Sequence, residues 1–380
     1  MSILLLLFSF ALFDAEFVKM LFDDGEAVWQ MLGDTTVPAE ENRDTLAVLA
    51  EKLARTVPRS FLRNNVVEHF PPNRGEVVRL EGTIFLVVPH DAGYCCYMEL
   101  YNGECVDIYV PNIPEAWKQD VPLQERAAAF GVFVKSYDST LVFCAPSIEW
   151  YPNTWLGNLG FDVSTFDHVP VSRVIGIEQN DDETNRQTFK FTEADKNAFY
   201  GLLQVVSSLP EGWLEEEAKK QQEEKPIHVI DLFNHPEETR GKPILLRGTA
   251  ARVVSTPVKD EEVQTLFGID HYYQIFLYTE QSRGNPIVIC VPSLPEGMPV
   301  GDGDDFAEQI TAAAVSYKLW IYDTSKGQHY APIMIGHTPT WHPKPAGQRL
   351  PPQMAAISFS VFFTLVVIWW VCRFWMKRSQ

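Results

Sequence analysis

Apolar, β-branched and aromatic residues cluster in short runs separated by turn residues in two stretches of the chain. Runs of this length and composition are typical of β-strands. The pattern predicts five strands in each stretch: 77–88, 94–101, 105–110, 129–137 and 141–150 in the first, and 244–255, 272–278, 287–291, 314–322 and 331–336 in the second. Before the fourth strand of each set it predicts a short connection, helical at most, at 122–126 and 305–309.

The two stretches also resemble each other residue by residue. Arg74–Thr83 aligns without gaps to Arg240–Thr249 at an offset of 166, with five of ten positions identical. Three further blocks follow in the same order, and their offsets grow as they would where loops lengthen. They are 110–115 with 291–296, 127–138 with 312–323, and 145–146 with 331–332. We infer two homologous domains, at about 69–152 and 235–343.

A long first strand, a meander, a connection and a final strand pair resemble the OB fold, a small closed Greek-key barrel. The first strand is expected to bend or bulge at its internal glycine, Gly82 or Gly248. The R-G-x-x-x-x-L-x-G-T opening, preceded in the second copy by a short helix at 229–234 and His235-Pro236, resembles that of bacterial OB-like domains. The whole chain resembles an uncharacterised family of bacterial membrane-anchored proteins with paired domains of this kind. The resemblance is architectural and transfers no functional residue. An SH3-like barrel is the alternative fold.

Helical patterns surround the two stretches. Apolar residues recur at helical spacing over 40–56, and Pro58 ends that pattern. Thr192 and Asp195 predict a capping box for a helix that runs to Val206, whose apolar stripe is expected to pack between the two barrels. Residues 211–225 are charged and predict a solvated helix or linker. The predicted fold is therefore mainly β with α segments: two homologous five-stranded OB-like barrels, connecting helices and one C-terminal transmembrane helix.

The transmembrane prediction rests on 355–372, which contains no ionisable side chain other than a thiol. At ~1.5 Å per residue this run covers about 27 Å, close to the ~30 Å hydrocarbon core of a bilayer. Two aromatic residues extend it to 375, and prolines 351 and 352 act as a spacer before it. Tryptophan and basic residues at its end are expected at the membrane interface: Trp369, Trp370, Arg373, Trp375, Lys377 and Arg378.

The distribution of basic residues predicts the orientation in the membrane. The three basic residues after the apolar helix favour a cytoplasmic C-terminus and extracytoplasmic soluble domains. Export requires an N-terminal signal, for which 3–13 is a candidate hydrophobic region that lacks a basic n-region. The alternative is a hydrophobic N-terminus that is not a signal.

These features together divide the chain into eight segments. The boundaries are a candidate signal peptide or hydrophobic N-terminus at 1–15, a helical segment at 16–68, OB-like barrels at 69–152 and 227–343 joined by a helical linker region at 153–226, a Pro-rich spacer at 344–354, the transmembrane helix at 355–375, and a basic tail at 376–380.

Composition and charge narrow the class of function. The 380 residues are 46% hydrophobic and 21% charged, which excludes a wholly disordered chain. The formal net charge is −19, and residues after 342 hold five of the 31 basic residues and none of the 50 acidic ones. The soluble part is therefore strongly acidic, which disfavours nucleic acid as a partner.

OB-like barrels often bind ligands on strands two and three, and aromatic residues occur there in both copies. The candidate binding face consists of Tyr97, Tyr101, Tyr272, Tyr273 and Phe276. Such rings could stack on bases, pack within the sheet, or contact a protein or envelope component. Lys118 is the one basic residue between His90 and Glu125, and acidic residues are frequent there, so a polyanion is disfavoured on this face.

Motifs for catalysis, metal binding or cofactor binding are not found in the sequence. The six cysteines form no C-x-x-C pair, and there is no nucleophile elbow, H-E-x-x-H motif or phosphate-binding glycine loop. We therefore predict no cofactor, metal site or catalytic residue. The leading hypothesis is a membrane-anchored binding or scaffolding protein. The alternatives are a membrane-tethered protein that binds single-stranded nucleic acid and a hydrolase of envelope polymers.

Overall fold

Two β-sheets with surrounding helices make up the chain in a computed structural model, which describes residues 14–22, 25–118, 123–175, 191–303, 306–324 and 327–343. The first half contains helices α1 Ala15–Lys19, α2 Gly25–Leu32, α3 Arg43–Thr56 and α4 Arg59–Asn64. Its strands are β1 Val77–His90, β2 Gly93–Leu100, β3 Cys105–Val110, β4 Glu125–Tyr137, β5 Thr140–Cys144 and β6 Glu149–Trp150. The predicted class, mainly β with α segments, is confirmed.

The connecting segment and second half follow the same plan. The helices are α5 Trp155–Asn158, α6 Glu193–Ser207, α7 Trp213–Glu224, α8 Asp231–Asn234, α9 Pro236–Thr239 and α10 Glu261–Phe267. The strands are β7 Ser172–Ile175, β8 Pro243–Pro257, β9 His271–Tyr278, β10 Ile287–Val291, β11 Glu308–Thr324, β12 Gly327–Gly336 and β13 Thr340–His342. Short 3-10 helices lie at Ala39–Asn42, Glu115–Lys118, Val163–His168 and Glu280–Ser282.

The two sheets have the same topology. The first has the order β1-β2-β3-β5-β4-β6, and β1 also pairs with β4. The second has the order β12-β10-β9-β8-β11-β13, and β12 also pairs with β11. When β1–β6 and β8–β13 are each numbered one to six, the same pairs of strands are hydrogen-bonded in both sheets. Strands three and five are parallel in both. In each half the pairings lead back from strand four to strand one. The second sheet has one addition, because β7 pairs in parallel with β11.

The register of the fourth strands corrects the sequence alignment. Gly82 pairs with Ala127 and Gly248 pairs with Ile310, which makes the offset 183 in this strand. The alignment of Ala127 with Ala312, at an offset of 185, is therefore wrong by two residues. A slip of two residues keeps every side chain on the same face of the sheet, so the apolar pattern does not reveal it.

Two further predictions in this region are wrong. The stretches predicted as connections overlap the fourth strands, because β4 begins at Glu125 and β11 at Glu308. The last predicted strand of the first half, 141–150, is two strands, β5 and β6. Pro146 lies between them, and proline cannot donate the ladder hydrogen bond that a continuous strand needs.

The internal glycines of the first strands are required by a close approach. A Cβ on Gly82 would lie 2.1 Å from the carbonyl oxygen of Glu99, and one on Gly248 would lie 2.2 Å from that of Tyr278. The register shift that marks a bulge comes two residues after each glycine, next to Ile84 and Ala250. Each first strand therefore bulges, but two residues after the glycine and not at it as predicted. The glycine lets the second strand pass closely beside the first.

The Arg-Gly pair that opens each repeat joins strand four to the preceding helical layer. Arg74 Nε donates to the carbonyl of Val134 at 2.8 Å, and Arg240 Nε donates to that of Tyr317 at 3.1 Å. Each guanidinium also lies over an aromatic ring, Trp29 or Phe166, at 3.9 and 5.5 Å from the ring centroid. The glycine of each pair bonds the same strand. The Gly75 amide donates to the carbonyl of Phe133 at 2.8 Å, and the Gly241 amide donates to that of Ser316 at 2.8 Å.

A helix covers strands three and five in each half. Helix α3 contacts β3 and β5, and helix α6 contacts β10 and β12. Thr192 and Asp195 form the predicted capping box at the start of α6. The apolar stripe of α6 packs in the core of the second sheet, where Phe199 lies 5.3 Å from Tyr272 between ring centroids. Helix α7, predicted as a solvated helix or linker, buries Leu214 against β8 and β11 and is solvated on one side.

Among the residues that the structure describes, no helix is both long enough and apolar enough to cross a membrane. The predicted transmembrane helix at 355–375, the Pro-rich spacer and the basic tail lie outside the described residues. So does the N-terminal candidate signal up to residue 13.

Candidate functional site

The two aromatic residues predicted as a binding face in the first half lie at different depths. Tyr97 on β2 is half-buried, and its ring centroid lies 6.3 Å from that of Phe85. Burial raises the pKa of its hydroxyl. Tyr101 follows β2, is 72% exposed, and lines a surface cavity beside Arg79.

The three aromatic residues of the second half lie on β9. Tyr272 is 2% exposed and packs beneath α6, which makes it part of the core. Tyr273 is half-buried, with its ring 5.5 Å from that of His271. Phe276 is half-buried under the guanidinium of Arg252, at 5.0 Å from the ring centroid. The two sets lie in different sheets, and a shared binding face stays a prediction. The six membrane-interface residues, Trp369 to Arg378, lie outside the described residues.

A groove of about 530 Å³ lies between the outer face of β1, β4 and β6 and the α6 helix of the second half. Three arginines line it, Arg59 and Arg63 from α4 and Arg79 from β1. Its two carboxylates are Glu149 and Asp162, and Tyr151 lies beside them. We call this the arginine groove. Its volume is within the range of ligand sites in proteins.

Arg79, Glu149 and Tyr151 form a hydrogen-bonded cluster in the arginine groove. Arg79 Nη1 donates to Glu149 Oε2 at 3.1 Å, and the Tyr151 hydroxyl donates to the same oxygen at 2.7 Å. Arg79 Nε donates to Glu81 at 2.5 Å, and the guanidinium lies 5.0 Å from the ring centroid of Phe130. Burial opposes the charge, but these carboxylates hold the pKa of Arg79 above its usual value. The pKa of Tyr151 is raised by burial and by Glu149.

Arg59 lies between the two carboxylates of the groove. Its Nη2 is 3.9 Å from an oxygen of Glu149 and 3.9 Å from an oxygen of Asp162, beyond hydrogen-bond distance. In the described part of the chain its side chain donates one hydrogen bond, to Ser147 Oγ at 3.1 Å. Because a guanidinium has five N–H donors, Arg59 retains donors for a ligand.

Asp162 is the carboxylate of the groove with the clearest structural role. Its Oδ1 accepts from the amides of Trp150 and Ser164 at 2.9 and 3.1 Å, and from the Ser164 hydroxyl at 2.6 Å. Burial, followed by the charge of Glu149, raises its pKa to about 6 although Arg59 opposes the shift. Asp162 therefore joins the end of β6 to the 3-10 helix that forms the floor of the groove.

A second cleft of about 330 Å³ adjoins the arginine groove and shares Arg59 and Asp162 with it. We call it the acidic cleft, because five carboxylates line it against one arginine and one lysine. The carboxylates are Asp162, Asp167, Glu193, Asp260 and Glu262, the two cations are Arg59 and Lys196, and the imidazole of His168 also lines the cleft. Lys196 bonds two of these carboxylates, Glu193 at 2.7 Å and Asp260 at 2.5 Å. One continuous cleft thus has a basic end and an acidic end.

The walls of this cleft come from both halves. Ser60 Oγ donates to Glu262 at 3.2 Å, and Arg63 Nη1 donates to the carbonyl of Leu266 at 3.0 Å. These hydrogen bonds join α4 to α10, so the groove needs both sheets in place.

The second half offers an internal comparison for the groove. The strand registers place Leu245 where the first half has Arg79. The matching contacts of Trp150 and Trp341 align Thr340 with Glu149 and His342 with Tyr151. The neighbouring Trp150 does have a counterpart, since Trp150 Nε1 donates to Glu125 at 2.9 Å and Trp341 Nε1 donates to Glu308 at 2.8 Å. The fold-forming contacts therefore occur twice, and the charged cluster occurs in the first half.

The cysteines and metal ligands give no further site among the described residues. Cys95, Cys96, Cys105, Cys144 and Cys290 are free thiols. Within the described ranges, no three histidine, cysteine or acidic side chains are placed to hold a metal ion.

Sequence reasoning missed the arginine groove because its residues are far apart along the chain. A signal was present at the offset of 166, which matches the arginine at 79 to a leucine at 245 within two otherwise similar segments. A charged residue that has no charged counterpart in the other copy is the difference to look for in a repeat.

Comparisons with known proteins do not identify a family. No protein-family model matches the chain, and no curated protein matches it. Among solved structures, a chain of aspartyl tRNA synthetase from Entamoeba histolytica is similar at 8% identity, with a TM-score of 0.14. The similarity covers 58% of this chain and 51% of that chain, so this chain spans about half the length of the other. A similarity this low carries no argument about fold or function.

Proposed function

We propose that this chain is a single-pass membrane-anchored binding or scaffolding protein whose two OB-like barrels present the arginine groove to a protein or envelope partner. The anchor is the apolar helix at 355–375. The soluble domains lie outside the cytoplasm, and the C-terminus lies inside.

The strand pairings support the OB-like part of this proposal. The first five strands of each sheet, with the third and fifth parallel and the fourth paired back to the first, have the pairings that a small Greek-key barrel requires. OB-like barrels serve many unrelated binding functions, so the fold by itself does not select a ligand.

The observation that carries the binding function is the asymmetry between the halves. Arg74, Gly75 and Trp150 have counterparts with the same contacts in the second half, which indicates that folding requires them. Arg79 and Tyr151 have no such counterparts and line a cleft. Residues that the fold does not need, gathered in one groove, are the expected place for recognition.

The test is cross-linking in membranes with the full chain. The groove variant combines Arg79→Gln with Tyr151→Phe, and the matched control changes the equivalent positions, Leu245→Gln with His342→Phe. We expect wild type and control to capture the same partner and the groove variant to lose it. Equal capture by all three chains would overturn the proposal.

A truncation after residue 343 should release the protein from membranes that retain the full chain after alkaline extraction.

A hydrolase of envelope polymers is the second candidate, favoured by Glu149 and Asp162. Both carboxylates flank Arg59, and Asp162 has a pKa raised to about 6, as a general acid needs. The measurement is the release of soluble fragments from isolated cell-wall polymer. Activity that disappears in Glu149→Gln supports a hydrolase, and the absence of any release by wild type excludes it for that polymer.

A further inference from the structure

The cleft between the two halves has charges of both signs in separate places. Arg59 and Asp162 line both parts. Apart from them, two guanidiniums face one carboxylate at the arginine groove, and four carboxylates face one lysine at the acidic cleft. A ligand that spans both parts must itself carry both signs, because electrostatic complementarity excludes a chain of uniform charge. Nucleic acids and anionic polysaccharides carry one sign only.

The free hydrogen-bonding groups lie where such a ligand would need them. Where the two parts meet, Arg59 has one protein acceptor within hydrogen-bond distance among the described residues. At the acidic end, Glu262 accepts one hydrogen bond, from Ser60. Asp260 is more fully occupied, since it caps α10 and bonds Lys196.

Apolar and amide groups lie between the charged ends. Phe267 and Thr165 line both parts of the cleft, and so does Asn197. A primary amide can donate to and accept from a peptide backbone at once, and an aromatic ring covers an apolar side chain. These groups suit a polypeptide.

We propose that the arginine groove and the acidic cleft together bind a polypeptide segment of a partner protein that carries a carboxylate close to a basic side chain. The carboxylate pairs with Arg59, and the basic side chain pairs with Glu262. This inference rests on the proposed binding function, for which it names the partner chemistry.

The test selects random dodecapeptides displayed on phage against the full-length protein in detergent micelles. We expect the enriched peptides to contain Asp or Glu within a few positions of Lys or Arg. Against a synthetic peptide of the enriched sequence, Arg59→Gln should bind at least about tenfold more weakly, because a charge-assisted hydrogen bond is lost. The matched control is Arg55→Gln, since Arg55 is 76% exposed, pairs with Glu51 and lies outside the cleft. It should bind as wild type does.

Each outcome decides the inference. Enriched peptides that lack either charge, or equal binding by Arg59→Gln, overturn it and leave the proposed binding function in place. Failure to enrich any peptide also overturns it, and the proposed function is then judged by membrane cross-linking. Should Arg59→Gln fail to fold, Glu262→Gln replaces it, because it removes the charge that pairs with the basic side chain and keeps an oxygen that can accept from Ser60.

Discussion

Lys135 and Lys318 occupy the same register position in the two sheets, two residues after Phe133 and Ser316, where the pairing of strand four with strand five shifts. Both are buried, at 2% and 3% exposure. Lys318 pairs with the buried carboxylate of Asp195. Lys135 donates instead to two carbonyls, those of Val37 at 2.9 Å and Asp34 at 3.2 Å. The same position thus holds a buried lysine in both halves, and the two lysines bond different partners.

The two lysines should differ in their contribution to stability. Lys318→Met removes the ammonium group that pairs with the buried carboxylate of Asp195 and should lower the free energy of unfolding by about 3–5 kcal/mol. Lys135→Met removes one hydrogen bond from each of the carbonyls of Asp34 and Val37. It should lower the free energy of unfolding by about 1–2 kcal/mol. Urea unfolding of the full chain measures both. The double variant Lys318→Met with Asp195→Asn should recover part of the loss, and a larger loss for Lys135→Met would contradict the assignment.

The paired glycines of the Arg-Gly openings predict a second difference. Gly75 and Gly241 have φ of +93° and +73°, where an L-residue costs about 1–2 kcal/mol. A Cβ at Gly75 would also lie 2.5 Å from the backbone nitrogen of Ala15, whereas one at Gly241 would first meet a flexible leucine methyl at 3.3 Å. Gly75→Ala should therefore destabilise the chain more than Gly241→Ala. Equal melting temperatures of the two variants would contradict this predicted difference.

Asp162 predicts a pH dependence of stability. Its pKa is raised from 3.8 to about 6, so between these values the folded state keeps a proton that the unfolded state has lost. The free energy of unfolding should therefore fall as pH rises through this window, by at most about 3 kcal/mol for this group. Asp162→Asn should flatten the dependence, measured by urea unfolding from pH 4 to 7. Asp107, whose pKa burial also raises to about 6, should leave a residual slope. An unchanged slope in Asp162→Asn would refute the assignment.

Single-stranded DNA tests the nucleic-acid alternative. The arginines of the groove are interleaved with Glu149 and Asp162, so a phosphate backbone meets repulsion there. We expect no change in the fluorescence anisotropy of a labelled 20-mer at low salt, where phosphate contacts are strongest. Binding that weakens steeply with added salt would favour a membrane-tethered nucleic-acid-binding protein.

The strands and their repetition could be predicted because they depend on local alternation and on matching segments. Gly82 and Gly248 could be recognised in the same way, since a close approach requires glycine in both copies. The alignment of the fourth strands could not be predicted. Ala127 and Ala129 lie on the same face of the sheet, so a shift of two residues between the copies leaves the apolar pattern unchanged.

The groove depends on contacts that no local pattern reports. Arg59 begins helix α4, Arg79 lies on the first strand, and Asp162 lies in the connecting segment. Their proximity arises when α4 and α10 meet through Ser60 and Arg63. Aromatic composition directed attention to β9, where Tyr272 instead fills the core beneath α6.

The short strand β7 has a mechanical consequence. It runs parallel to β11 along Leu319–Tyr322, and the amide of Leu319 also donates to the carbonyl of Val171. Arg240 holds the preceding backbone through the carbonyls of Phe166 and Val169. A pulling force between the two sheets would load these bonds side by side in shear, so they resist it together and break together. The force would then be borne by the connecting segment, and the polar contacts across the cleft would bear less of it.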